Sequence, residues 1–305
     1  MKDRLFAALP SLVLLHLCRG MVVVHPIVIP SGQPSSSGTT SQPNPSNEVV
    51  IFLHGRLEAD DDEDIFIPDP TELYSDFLSG LSNKIPANTQ TLMPAYHEHY
   101  KDWKHEPRDL SLGPVTSAIS QVIHDHLKSS EQESIKLTMI SFSMGAAILM
   151  KLIANDSLLS TANKSTCNDD VGGNNCSVDV QRLILIEPVW RCWLPFAVSE
   201  VASSLGDAAR SCVISDLPTL AIAGTNDNEV KYDSGCMGQK SMDGVRRSLR
   251  AFLPNVQVSE IKGGNHFGGL CSGVNNIAMD SLGDSVELTD LRNEIIERIS
   301  KFCGW

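Results

Sequence analysis

Short apolar runs alternate with longer stretches of helical spacing along most of the chain. Residues 49–53 (VVIFL) are unbroken apolar and rich in β-branched types, which predicts a strand buried on both faces. Residues 71–81 put Leu73, Phe77, Leu78 and Leu81 on one side of a helix, and residues 89–93 read as a short strand cut by Pro94. Apolar positions recur at helical spacing over residues 115–127. Residues 137–140 form another strand run, and residues 146–153 continue straight into a helix. Residues 183–186 and 219–223 are further buried strands, residues 256–261 alternate apolar and polar, and residues 288–302 form a closing amphipathic helix. This order predicts an α/β fold: a mostly parallel central sheet with helices on both faces and no internal repeat. Ligands of such sheets bind outside the carboxyl ends of the strands, so the residues that follow each run are where chemistry is expected.

Three of those positions are informative. The run at 137–140 leads into Ser141-Phe142-Ser143-Met144-Gly145, and a helix follows. A serine at the apex of a sharp strand-to-helix turn, with small residues two positions away on either side, has the spacing of a nucleophile elbow. Glycine usually opens this pentapeptide; Ser141, the next size up, stands there instead. The turn places the Ser143 hydroxyl at a helix N-terminus, where the dipole favours developing negative charge. A serine hydroxyl is a poor nucleophile near neutral pH and needs a base, which in turn needs an orienting acid. The strand at 219–223 ends in Gly224-Thr225-Asn226-Asp227, and the one at 256–261 is followed by Gly263-Gly264-Asn265-His266-Phe267-Gly268. Both supply the missing partners on the same edge of the sheet, in the order Ser, Asp, His. The strand at 49–53 ends in His54-Gly55-Arg56-Leu57. An oxyanion hole is expected from the Met144 backbone N–H together with a donor in this first loop, at Arg56 or Leu57.

On these residues the chain resembles the α/β-hydrolase superfamily over roughly residues 48–305. The segments IFLHGR, SFSMGA, AIAGTND and GGNHFGG are most similar to its dienelactone hydrolase and carboxylesterase branch. The resemblance implies Ser143 as nucleophile, Asp227 as orienting acid and His266 as general base, with no metal and no organic cofactor. The fold hosts many reactions, so the resemblance alone does not set the bond cleaved.

Other residues compete for these roles or surround them. Glu187, which ends the strand at 183–186, is the alternative acid. His54 reads as a brace for the first loop. His97, His99 and His105 with Glu98 suggest a metal site only superficially, because no fourth ligand is evident, and the run reads as a loop at the rim of the site. The acidic stretch at 58–64 reads as a solvated loop near the pocket mouth, lacking the spacing of a calcium loop. Residues 156–179 read as a small insertion after the nucleophile's helix. Residues 190–215, with Trp190, Trp193 and Phe196, occupy the position of a cap or lid, and their aromatics read equally as pocket lining or as packing on the sheet.

The chain has 305 residues, enough for one large domain. Its net charge of −13 and lack of a basic stripe argue against nucleic acid as a partner. Residues 1–20 read as a signal peptide: Lys2 and Arg4, then an apolar run from residue 5 to 17, then Cys18 and Gly20 before a cleavage site. No later stretch is apolar enough for a membrane helix. Residues 31–47 are dominated by Ser, Pro, Gly, Thr, Asn and Gln, so 21–47 is expected to be a tail or linker, with the folded domain starting near Glu48. Asn155, Asn163 and Asn175 each begin a glycosylation sequon, in keeping with a secreted protein. Of eight cysteines, seven follow the signal segment, so at least one is free or pairs between chains; the connectivity stays open. The expected activity is hydrolysis of a small-molecule carboxylic ester. A peptidase or amidase of the same fold and a non-catalytic binding protein are the alternatives.

Overall fold

The apolar runs assemble into one seven-stranded sheet. The structure, a computed structural model, describes residues 27–29, 47–55, 70–87, 89–94, 118–119, 121, 123, 125–126, 134–154, 177–188, 217–228, 230–231, 241–266, 270 and 287–305. Its strands are β1 (Ile27–Ile29), β2 (Glu48–Leu53), β3 (Gln90–Met93), β4 (Ser134–Phe142), β5 (Ser177–Ile186), β6 (Thr219–Gly224) and β7 (Val256–Ile261). Its helices are α1 (Pro70–Leu73), α2 (Ser75–Ser82), α3 (Gly145–Ala154), α4 (Met242–Phe252) and α5 (Leu288–Cys303). Described residues between 118 and 126 are helical as well.

The strand order is β1-β3-β2-β4-β5-β6-β7. The edge strand β1 runs antiparallel to β3, and the other six strands are parallel. From β2 the chain moves outward to β3, returns to β4 on the other side of β2, and then proceeds strand by strand to β7. The direction of winding therefore reverses between β2 and β4, and the crevice at their carboxyl ends is where such a sheet takes a ligand.

Burial explains the unbroken apolar runs. Val49 through Leu53 are all 0% exposed. Val49, Ile51 and Leu53 face one side, among Leu149 and Leu152 of α3, Val245 and Leu249 of α4, and Ile119 and Ile123. Val50 and Phe52 face the other, among Phe77 and Leu81 of α2 and Leu291, Ile295 and Ile299 of α5. A strand covered on both faces needs an apolar residue at every position, whereas the last strand, β7, is half-exposed and alternates.

Four features depart from expectation. The sheet begins before Glu48, because Ile27–Ile29 pairs with Thr91, Leu92 and Met93 within the stretch read as a tail. Strand β5 begins at Ser177, so its first residues belong to the sheet and not to an insertion. The helix expected over 71–81 is divided at Tyr74, whose buried ring packs against Phe52 and Phe142 at centroid distances of 5.2 and 6.0 Å. Helix α4 was not among the elements expected from apolar spacing. Arg246, Arg247 and Arg250 dominate its outer side, its inner side carries buried Val245 and Leu249, and Ser241 caps it by accepting from the Gly244 amide at 3.2 Å.

At the amino edge of the sheet, Arg182 of β5 donates to Glu48 of β2 at 3.2 Å and Thr138 of β4 donates to the same oxygen at 3.4 Å. Close by, Cys303 carries a free, buried thiol; burial pushes it up to about 11, while Arg182 pulls the other way. The remaining cysteines, residues 1–20, the three sequon asparagines, the histidines at 97–105, the acidic stretch, residues 156–176 and residues 190–215 lie outside the described residues. No helix among the described residues is long and apolar enough to cross a membrane.

Helix α5 gives a direct check on this packing. Ile299 is fully buried, so Ile299→Ala is expected to lower stability by about 2–5 kcal/mol in chemical denaturation. Glu297, two residues earlier, is 63% exposed and pairs with Lys84, so Glu297→Ala is expected to cost less than about 1 kcal/mol. Equal losses would contradict the inner face assigned to this helix.

Candidate active site

Strand β4 ends at Phe142, and Ser143 turns the chain into α3 with φ at 51°. A left-handed backbone costs a non-glycine residue about 1–2 kcal/mol. Here the turn is held by the Ser143 amide, which donates to the Ile186 carbonyl of β5 at 2.9 Å, and by the Ala146 amide, which donates to the Ser143 carbonyl at 3.0 Å. Helix α3 starts hard against the end of β2. A Cβ on Gly145 would lie 2.4 Å from the Leu53 carbonyl oxygen and 2.8 Å from that of His54, so only glycine fits there. Ser141 is fully buried, with its hydroxyl donating to the Ile184 carbonyl at 3.4 Å, so a serine is accommodated where glycine is usual.

The loop after β2 reaches the same point. A Cβ on Gly55 would sit 3.0 Å from Ser143 Cβ. His54 is buried, donates from Nδ1 to the Gly55 carbonyl at 2.8 Å, and stacks on Tyr74 at 6.3 Å, which braces this loop as expected. Arg56 and Leu57 lie outside the described residues. Met144 follows Ser143 directly, and its carbonyl accepts from the Ile148 amide at 3.3 Å in the first turn of α3.

Asp227 and His266 meet because β6 and β7 stay together beyond their ends. The pairing runs to Gly224 opposite Ile261. The Thr225 amide then donates to the Ile261 carbonyl at 2.9 Å, the Asn226 amide to the Gly264 carbonyl at 2.8 Å, and the Gly263 amide to Thr225 Oγ1 at 2.8 Å. A Cβ on Gly224 would fall 2.2 Å from the Gly264 carbonyl oxygen. Asp227 is 0% exposed; its Oδ1 accepts from the Val230 amide at 2.9 Å and its Oδ2 lies 3.0 Å from His266 Nδ1. His266 is 4% exposed, packs its ring 5.6 Å from that of Phe142, and has Nε2 2.8 Å from Ser143 Oγ. With Nδ1–H given to the carboxylate, Nε2 is the acceptor for the serine hydroxyl. The three residues expected from sequence are thus brought into one chain of hydrogen bonds.

Glu187 joins them. It ends β5, between the strands that lead to Ser143 and Asp227, with φ at 47° and 3% exposure, and its amide donates to the Ile222 carbonyl at 2.7 Å. Its carboxylate, that of Asp227 and a ring nitrogen of His266 all lie within 4.8 Å of one another. These are the donors a cation would use, but both imidazole nitrogens already engage Asp227 and Ser143. The sequence offered Glu187 as a replacement for Asp227; the structure seats both carboxylates beside His266, with Asp227 holding the hydrogen bond to Nδ1.

Six parallel strands in this order, a serine on a left-handed turn between β4 and α3, and a histidine after the last strand define the α/β-hydrolase fold. No protein-family model matches the chain, and no curated protein matches it. Among solved structures it is similar to a dienelactone hydrolase from Anabaena variabilis, at 13% identity and a TM-score of 0.45, covering 92% of this chain and 96% of that one. It is also similar to Est1E from Butyrivibrio proteoclasticus, at 11% identity and a TM-score of 0.45, covering 86% and 90%. A third similar structure is the Pyrococcus furiosus esterase Pf2001, at 12% identity and a TM-score of 0.43, covering 86% and 83%. The fold assignment rests on the strand order and the turn at Ser143.

The contact of Gly224 with Gly264 is expected to be intolerant of any side chain. Gly224→Ala should lower stability by about 1–3 kcal/mol by overpacking backbone against backbone. A melting temperature equal to that of wild type would show that the two loops separate without penalty.

Proposed function

We propose that this chain is a serine hydrolase acting on small carboxylic esters. The observation that carries the reading is the relay in which the half-buried Ser143 Oγ lies 2.8 Å from His266 Nε2 and, in the buried interior, His266 Nδ1 lies 3.0 Å from Asp227 Oδ2. Each distance is within the reach that proton transfer needs in such a site.

Ser143 Oγ attacks the ester carbonyl carbon while its proton passes to His266 Nε2. Asp227 keeps the imidazole in the tautomer that accepts this proton and balances the imidazolium that forms. The tetrahedral oxyanion faces the Met144 amide and a second donor from Arg56 or Leu57 in the loop after β2, near the N-terminus of α3. Collapse of the intermediate breaks the ester C–O bond, and the leaving alcohol takes the proton from Nε2. Water then attacks the acyl-enzyme while giving a proton to His266 Nε2; collapse of this second intermediate breaks the Ser143 Oγ–C bond and releases the acid as Nε2 returns the proton to Oγ. No step requires a cofactor. Export through a cleaved signal at residues 1–20 belongs to the same reading, and the N-terminal sequence of the mature protein tests it.

A fluorophosphonate probe tests the nucleophile without any assumption about substrate. Wild type should label covalently, and Ser143→Ala and His266→Ala should each reduce labelling by at least about a thousandfold while melting within a few degrees of wild type. Failure of folded wild type to label, or full labelling of Ser143→Ala, would overturn the proposal and favour a binding protein built on this fold.

A further inference from the structure

We propose that Glu187 is a positioning residue for His266, a second carboxylate that shares with Asp227 the work of holding the imidazole and balancing its positive charge. The inference rests on the hydrolase reading above and deepens it.

Three observations converge on Glu187. Its strand, β5, lies between β4 and β6, so Glu187 ends the sheet edge midway between the elements that carry Ser143 and Asp227. Its backbone is left-handed, with φ at 47°, a conformation that glutamate adopts reluctantly and that only Ser143 shares among the described non-glycine residues. Strain of this kind collects where a fold must aim a side chain. Finally, the residue is 3% exposed, and its carboxylate is within 4.8 Å of both the Asp227 carboxylate and a His266 nitrogen. The ionisable groups that meet here among the described residues are Glu187 from β5, Asp227 from the loop after β6 and His266 from the loop after β7; β4 contributes the neutral Ser143 hydroxyl, and His54 stands beyond it at the end of β2.

A carboxylate at this distance in a buried site favours the protonated imidazole. Removing it makes His266 a weaker base, so the neutral, active form persists to lower pH. A glutamate that only completed the turn would leave the pH profile where it was. If Glu187 also helps to hold His266, the loss of Asp227 is cushioned while Glu187 remains.

The test is the rate of fluorophosphonate labelling as a function of pH in the full chain, for wild type, Glu187→Gln, Asp227→Asn and the double variant, each checked for folding by its melting transition. Glu187→Gln should move the midpoint of the acid limb to lower pH by roughly half a unit or more, and the double variant should label at least about tenfold more slowly than Asp227→Asn alone. An unshifted acid limb, or a double variant equal to Asp227→Asn, overturns the inference. Should Glu187→Gln not fold, Glu187→Asp and Glu187→Asn suit the left-handed backbone; a shifted limb in Asn but not in Asp supports the inference, and identical limbs overturn it. Ser143→Ala separates the two levels. If it is silent while Glu187→Gln is unshifted, only the role of Glu187 fails, whereas wild-type labelling of Ser143→Ala overturns the hydrolase reading itself.

Discussion

The site depends on the close approach of two backbones just beyond the sheet. Gly224 and Gly264 touch so tightly that neither loop can be moved without the other, and the Asn226 amide is bonded to the Gly264 carbonyl across the contact. Asp227 and His266 each follow this contact within three residues. Their separation is therefore set by main chain, not by flexible side-chain stems, which is how a site holds catalytic geometry to fractions of an ångström. The pairing of Asp227 Oδ2 with His266 Nδ1 is the outcome of that contact.

Two residues at the same edge are held in the left-handed region, and each is locked in the same way. The Ser143 amide is bonded to the end of β5, and the Glu187 amide to β6. Strain of about 1–2 kcal/mol at each position is comparable to the net worth of one or two buried hydrogen bonds. The parallel ladder thus offsets locally what the turns cost. The consequence is directional: successive strands β4, β5 and β6 end by sending a polar side chain toward one buried point, where β7 adds the imidazole.

Much of this was legible in the chain because burial on both faces forces unbroken apolar runs. Residues 49–53, 137–140, 183–186 and 219–223 could hardly be anything but central strands, and the order of polar residues after them pointed to Ser143, Asp227 and His266. What escaped had a physical reason in each case. Strand β1 is three residues long, too short to show a period, and its place depends on antiparallel pairing with β3 far along the chain. Helix α4 carries three arginines, and only Val245 and Leu249 anchor its buried side among the described residues. The break at Tyr74 answers to Phe52 and Phe142, which no local pattern reveals. Glu187 was visible as a carboxylate at a strand end, but sequence could only set it against Asp227 as a rival. That both sit beside one imidazole is a tertiary fact.

A buried acid is tolerated only where its charge is met by donors, and the surroundings of Asp227 supply them from both sides: the Val230 amide on Oδ1 and the His266 ring on Oδ2. The first of these comes from the residue three positions on in the same short turn, so the carboxylate is oriented before His266 is considered. With one oxygen held in this way, the other is left to His266, 3.0 Å from Nδ1. Phe142 packs its ring 5.6 Å from that of His266, and the burial of Asp227 and His266 strengthens the charge interaction between them. The same burial gives a carboxylate at Glu187 a stronger hold on the imidazole, since at the surface the high dielectric of water would weaken their interaction severalfold. Burial, more than proximity alone, is what turns a third ionisable group beside Asp227 and His266 into a part of their chemistry.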